Sequence, residues 1–394
     1  MGQVKRIYRK YVIVWLLSIL LSILVLNRMN ANVGLPSFGN NITLLLIVSL
    51  LGGGICYLER KIHLCNSLKK EALMFMFFSL PATLLVTHNT NDIYGYLSLF
   101  FVPLGLRVGK IFFHWYTYSS SPNYFITILI LPAIIGCYWA LSSNGVENLF
   151  ENGRDYIFCI VIFSPLLFYY PNKILQFILI FLFLYIVMIS AKRTALLSLG
   201  ASILLYVFLN FSEIKKAKLK YIIIGIVLLV CGLFFFQGLI NGSASEAFEH
   251  TIERMNNLND ASNEDRGYIY DTVISQIISS SIVTFLFGHG YNAVTNNLLG
   301  HPSHNDYLEI TYDYGIIATY FYIMIYLKFI HSFMNTVKKK KLSYGNMSHL
   351  LITFVSISIL NMANCFITNS LYMFVCMFTM GWALEFATKN INKV

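Results

Sequence analysis

Apolar runs close to twenty residues long recur along this chain, and they constrain its fold more than any motif does. A helix needs about 20 apolar residues to cross a bilayer, and only helices or closed barrels satisfy their backbone groups there. The runs are continuous rather than alternating, so barrel strands are excluded. The expectation is an all-α integral membrane protein of about 12 transmembrane helices with one large extracytoplasmic loop that contains short helices. Candidate spans begin near Tyr11, Ile42, Glu71, Ile93, Asn123, Asp155, Lys173, Thr194, Tyr221, Tyr314, His349 and Leu371. The first follows the basic stretch MGQVKRIYRK, is long and lacks a small-x-small cleavage site, so it reads as an uncleaved span. The fourth, IYGYLSLFFVPLGLRVGKIFFHW, is the weakest, interrupted by Pro103, Arg107 and Lys110.

The net charge of +10 sits in short clusters between these runs. Such clusters are topology signals, and no nucleic-acid partner is expected. With the amino terminus cytoplasmic, 22 of the 28 Lys and Arg residues face inward; only Arg28, Arg154, Lys192, Arg193, Arg254 and Arg266 face outward. That positive-inside asymmetry places both termini in the cytoplasm. The chain divides into residues 1–240 with nine spans, a periplasmic loop over 241–313, and residues 314–394 with three more. The loop carries ten of the 18 acids, two arginines and no lysine. The seven cysteines form no CxxC and no His/Cys ligand spacing, so neither a disulfide framework nor a zinc site is supported.

Within the loop, Ser262 and Asp265 have capping-box spacing and predict a helix start, and the GHGY at 288–291 predicts its break. A helical Asn305 to Tyr314 would hold His304 about 15 Å above the next span. Lys192 and Arg193 lie in a very short outward connection against the positive-inside bias, either to meet a ligand or to snorkel to lipid headgroups. Arg266 is one of two cations among ten acids; pairing with Glu264, Asp265 or Asp271 is the simpler role. His304 has His301 three residues before it and Asn305 beside it. A solvated histidine explains this, and so does a general base, since imidazole titrates near pH 6.5. Asp306, Glu309 and Asp313 share a helical face that would orient the histidine, bind sugar hydroxyls or serve as caps. Tyr291, Tyr307 and Tyr312 suit stacking on sugars, but ordinary interface anchors are the simpler reading of them.

Arginine forks match the oxygens of a diphosphate and stabilise its charge as it leaves. Two arginines and a base at an outer boundary therefore imply transfer from a lipid-linked diphosphate. No Walker loop, GxSxG, HExxH or DxD is present, which disfavours a metal-dependent mechanism, and no cofactor is expected. A lipid-linked sugar transporter ranks lower, because transporters bury ionisable groups near the midplane and repeat their halves.

SAKRTALLSLG, NEDRGYIYDTVI, FGHGYNAV and HNDYLEITYDYGIIATYFYI resemble the O-antigen polymerases and O-antigen ligases of bacterial surface polysaccharide assembly. The resemblance covers the second half of the chain, and its most specific element is His304-Asn305 followed by Gly315. It implies an inner-membrane glycosyltransferase whose Arg193 and Arg266 hold the diphosphate of an undecaprenyl-linked oligosaccharide, and whose His304 activates the acceptor hydroxyl. Lys192, His301, Asn305, Tyr291, Tyr307 and Glu309 are the expected substrate-binding positions. Membrane lipids and a chain-length regulator protein are the expected partners. Ligases commonly carry Gly, Thr or Tyr where this chain has Ala318, so the polymerase is favoured over the ligase.

Overall fold

The computed structural model describes residues 2–32, 36–62, 66–86, 92–140, 157–190, 192–210, 262–340, 344–362, 364 and 366–389. The described residues contain helices and no strand. In order the helices are α1 (Gly2–Asn32), α2 (Asn41–Leu58), α3 (Asn66–Val86), α4 (Asp92–Thr117), α5 (Pro122–Ala140), α6 (Ile157–Val161), α7 (Ser164–Leu167), α8 (Lys173–Ile189), α9 (Arg193–Leu209), α10 (Ser262–Ser279), α11 (Ile282–Phe287), a π turn at Val294–Leu299, α12 (Asp306–Lys340), α13 (Tyr344–Met362) and α14 (Ser370–Lys389). Among the described residues, five stretches are long and apolar enough to cross a membrane: Tyr8–Asn30, Asn41–Leu58, Ile93–Thr117, Pro122–Ala140 and Asp306–Ser332. Shorter apolar helices occupy the expected positions of the seventh, eighth, eleventh and twelfth spans. The expected count of about 12 is not established by these, and the ninth span, from Tyr221, lies outside the described residues, as do Arg154, Arg254 and loop residues 241–261.

The sixth expected span is two short helices, α6 and α7, rather than one. Pro165 has no N–H to bond the preceding turn, and the chain turns at Ile162 and Phe163 before resuming. Asparagine starts several helices: Asn40 caps α2 through Ile42 N at 2.8 Å, and Asn369 caps α14 through Leu371 N at 3.1 Å. An Asn side-chain oxygen there satisfies amide donors that have no partner within the helix.

The chain forms two compact units, the first of residues 1–39, 116–258 and 343–356, the second of 40–115, 259–342 and 357–394. In the first, α1 packs on α5, where Tyr11 meets Tyr124 and Phe125 and the Trp15 indole donates to Tyr124 Oη at 3.0 Å. Ser198 and Ser356 join their hydroxyls at 2.8 Å, and Gln176 donates to Leu167 O at 3.0 Å. Small polar pairs of this kind suit helices that lack a hydrophobic drive to associate in lipid.

In the second unit α3 packs along α12, with Phe75 against Tyr322 and Phe78 stacked on Phe321. The fourth span, weakest in sequence, is a continuous helix, because its interruptions are used. Gly105 and Gly109, four apart, let α4 meet α14 backbone to backbone: a Cβ on Gly109 would lie 1.9 Å from Phe378 O. Lys110 pairs with Glu385 at 3.2 Å, and Arg107 donates to Cys56 O at 2.9 Å. Lys110 and one guanidinium nitrogen of Arg107 thus find partners inside the unit.

Candidate functional site

The candidate site grows from residues 262–315 of the second unit. The loop helix α10 does begin at Ser262, but it ends at Ser279, nine residues before the first glycine of the GHGY turn. Serine hydroxyls compete with the helix ladder, and Ser280 Oγ donates back to Gln276 O at 2.6 Å. Ser281 then accepts from Thr284 N at 3.3 Å and starts the six-residue α11.

Gly288 and Gly315 interlock. Gly315 sits at φ 85° and ψ 168° inside α12, a backbone conformation essentially restricted to glycine. A Cβ on it would lie 2.2 Å from Leu286 O, and one on Gly288 would lie 2.2 Å from Asp313 O. The kink withdraws the helical partners of the carbonyls just before it, and the turn supplies replacements. His289 N donates to Tyr312 O at 3.0 Å and Gly290 N to Asp313 O at 2.8 Å. The His289 ring stacks on Tyr312, centroids 4.1 Å apart, with Nε2 3.3 Å from Ser280 Oγ. The GHG element is thus a clasp on α12, the helix that follows the histidine segment.

Between clasp and helix lies the histidine segment. Asn305 caps α12, its Oδ1 accepting from Tyr307 N at 3.0 Å and Leu308 N at 3.2 Å. His304, just before the cap, has left-handed backbone at φ 57° and a half-buried side chain. That conformation costs a non-glycine residue about 1–2 kcal/mol, and residues held so are concentrated at functional sites. The His301 ring, exposed, lies 6.1 Å from the His304 ring at 21°.

The three acids that follow are fully buried, and each holds a different stretch of backbone. Asp306 accepts from Ile367 N at 3.0 Å, Glu309 from Ser303 N at 2.8 Å and Ser303 Oγ at 2.6 Å, and Asp313 from Val294 N at 3.1 Å. Asp306 also meets Tyr322 Oη at 3.4 Å, within a network in which Asn361 donates to both Tyr322 and Tyr326. The shared face expected from sequence is real, and it points inward, toward loops.

Of the expected substrate-binding residues, Glu309 is therefore enclosed by the scaffold. Tyr291 is also buried, its ring lying over Gly95 and its hydroxyl donating to Thr368 O at 2.9 Å. Tyr307 is half-buried, edge-on to Tyr322 and Tyr326. His301, His304 and Asn305 lie together before α12. Arg266 lies in the first turns of α10, and its side chain falls outside the described residues. Lys192 and Arg193, both half-buried, occupy the start of α9 in the first unit. Sequence reasoning missed Ser303, Asn361 and the 366–369 connection. Their only signal was indirect: the acids share their helical face with Ile310 and Tyr314, which marks it as a core face.

Residues 178–323 match the family model described as O-antigen ligase. The match supports the O-antigen polymerase and ligase family recognised from the sequence. Arg193, Arg266, the GHG clasp, His304 and Gly315 all fall inside the matched span. A search of curated proteins gave no match.

Proposed function

We propose that the protein is a membrane-embedded glycosyltransferase, an O-antigen polymerase that moves glycan from undecaprenyl diphosphate onto an incoming lipid-linked repeat unit at the periplasmic face of the inner membrane. The observation that carries this reading is the clasped segment that holds His304 in left-handed backbone beside a helix start, inside the span that matches the family. The neutral imidazole takes the proton of the acceptor sugar hydroxyl as its oxygen attacks the anomeric carbon. The bond from that carbon to the diphosphate oxygen breaks, and undecaprenyl diphosphate leaves with the electron pair. Arg193 and Arg266 supply the guanidinium forks that stabilise its charge.

A second reading is transfer of finished glycan to lipid A-core, from which the family match does not separate the first. Ala318, where ligases commonly carry Gly, Thr or Tyr, weighs toward the polymerase. The lipopolysaccharide banding of a deletion strain separates the two. A single repeat unit capping the core indicates a lost polymerase, and full-length polymer stranded on its lipid carrier a lost ligase. Complementation with His304→Ala, Arg193→Ala or Arg266→Ala should leave the defect in place while the protein remains in the membrane. Wild-type polymer length in all three would overturn the enzymatic reading.

A further inference from the structure

Unit two holds a second polar feature, away from the histidine segment. A cavity of about 280 Å³ is lined by Gly53 and Cys56 of α2, Lys69, Leu73 and Met76 of α3, and Phe100, Pro103, Leu104 and Arg107 of α4. Its lining holds two cations and no acid, and among the described residues neither cation has a carboxylate within 4 Å. Arg107 spends one guanidinium nitrogen on Cys56 O at 2.9 Å, and its Nε is buried without a partner. Lys69 is exposed at the mouth. The remaining wall is mostly apolar. Gly95, which carries Tyr291 of the histidine region, is twelve residues before Arg107 on the same helix, so the cavity sits about 18 Å along α4 from it.

We infer that this cavity binds the phosphate headgroup and upper acyl chain of an anionic membrane phospholipid. Two cations against a lining without acids select a net negative headgroup, and guanidinium and ammonium groups both match phosphate oxygen. The apolar wall selects a ligand with a chain attached, not a free anion. The cavity is small for a whole lipid, so it fits the headgroup end while the chain tails lie outside. Its cations are among the 22 basic residues that the charge distribution expects on the inner face, where anionic lipids gather. This inference does not depend on the glycosyltransferase reading.

The test uses the full-length protein in vesicles of phosphatidylcholine containing phosphatidylglycerol with the same acyl chains, followed by native mass spectrometry of the lipid that stays bound. Phosphatidylglycerol should be retained over phosphatidylcholine. Lys69→Gln should cut that retention about fivefold, the expectation for one cation lost near a lipid surface. Gly53→Met should abolish it by filling the cavity; a Cβ there meets nothing within 4 Å, so the variant should fold. Lys61→Gln, an exposed lysine outside the lining, should change nothing. Equal retention of both lipids, or an equal loss in Lys61→Gln and Lys69→Gln, would overturn the site. Displacement of the lipid by inorganic phosphate alone would assign the cavity to a free oxyanion and overturn the lipid proposal.

Discussion

Replacing Gly315 by alanine tests the clasp most directly. The backbone there, at φ 85° and ψ 168°, is strained for any residue with a Cβ, at about 1–3 kcal/mol. The new Cβ would also lie 2.2 Å from Leu286 O, a backbone atom, and overpacking of that kind adds about 1–3 kcal/mol. The sum, about 2–6 kcal/mol, falls on the contact between α11 and the helix kink. Since about 1.4 kcal/mol is a factor of ten, the amides of His289 and Gly290 should lose at least about thirtyfold of their hydrogen-exchange protection. Gly288→Ala should expose the same amides, and the double variant should cost less than the two singles added, because both break one interlock. Gly300→Ala is the control: it too has positive φ, at 75°, but its Cβ meets nothing within 4 Å. It should loosen its own turn and leave residues 289 and 290 protected. If Gly315→Ala leaves those two amides as protected as Gly300→Ala does, the interlock is not what holds the segment.

Other outcomes follow from the same contacts. Glu309→Ala strips Ser303 N of its acceptor in a buried setting, which costs about 1–3 kcal/mol; it should lower glycan transfer through a misplaced His304, and thermal unfolding in detergent would register the loss. Tyr291→Phe loses the bond to Thr368 O, about 0.5–1.5 kcal/mol, and should keep transfer activity, whereas loss of activity in this variant would assign the hydroxyl a part in binding. Gly109→Ala should destabilise the protein markedly, because the added carbon meets Phe378 O, while Gly200→Ala, with open space around it, should not; unfolding temperatures compare them.

The span pattern was legible because twenty apolar residues have few other places to go, and the fourth span shows where that legibility stops. Pro103, Arg107 and Lys110 weakened it in sequence, yet Gly105 and Gly109 bring α14 close, Glu385 pairs with Lys110, and Cys56 O, also distant in sequence, accepts from Arg107. The start of α10 at Ser262 was legible from a local capping pattern; its early end at Ser279 depended on hydroxyl back-bonding that spacing alone does not reveal. The histidine motif shows a similar division. Its residues stood out, but the partners of Asp306, Glu309 and Asp313 are backbone amides at 367, 303 and 294, and a backbone amide leaves no mark on a sequence.

Those amide bonds also bear on which group can handle a proton. Asp306, Glu309 and Asp313 each fasten a separate loop through a fully buried carboxyl, so a change of protonation at any of them acts on a contact that holds the fold. Buried polar groups of this kind are costly to disturb. His304 is half-buried and lies outside helix α12, held by its backbone and its neighbours' caps. A change at its ring leaves the clasp and the three carboxyl bonds in place. The division of labour then makes a distinction that can be measured: changes at 306, 309 or 313 should lower stability and activity together, whereas His304→Gln should lower glycan transfer with the unfolding temperature kept within the range of ordinary surface substitutions. A His304→Gln protein that unfolds as early as Glu309→Ala would place the imidazole in the scaffold with the acids and remove it from the chemistry.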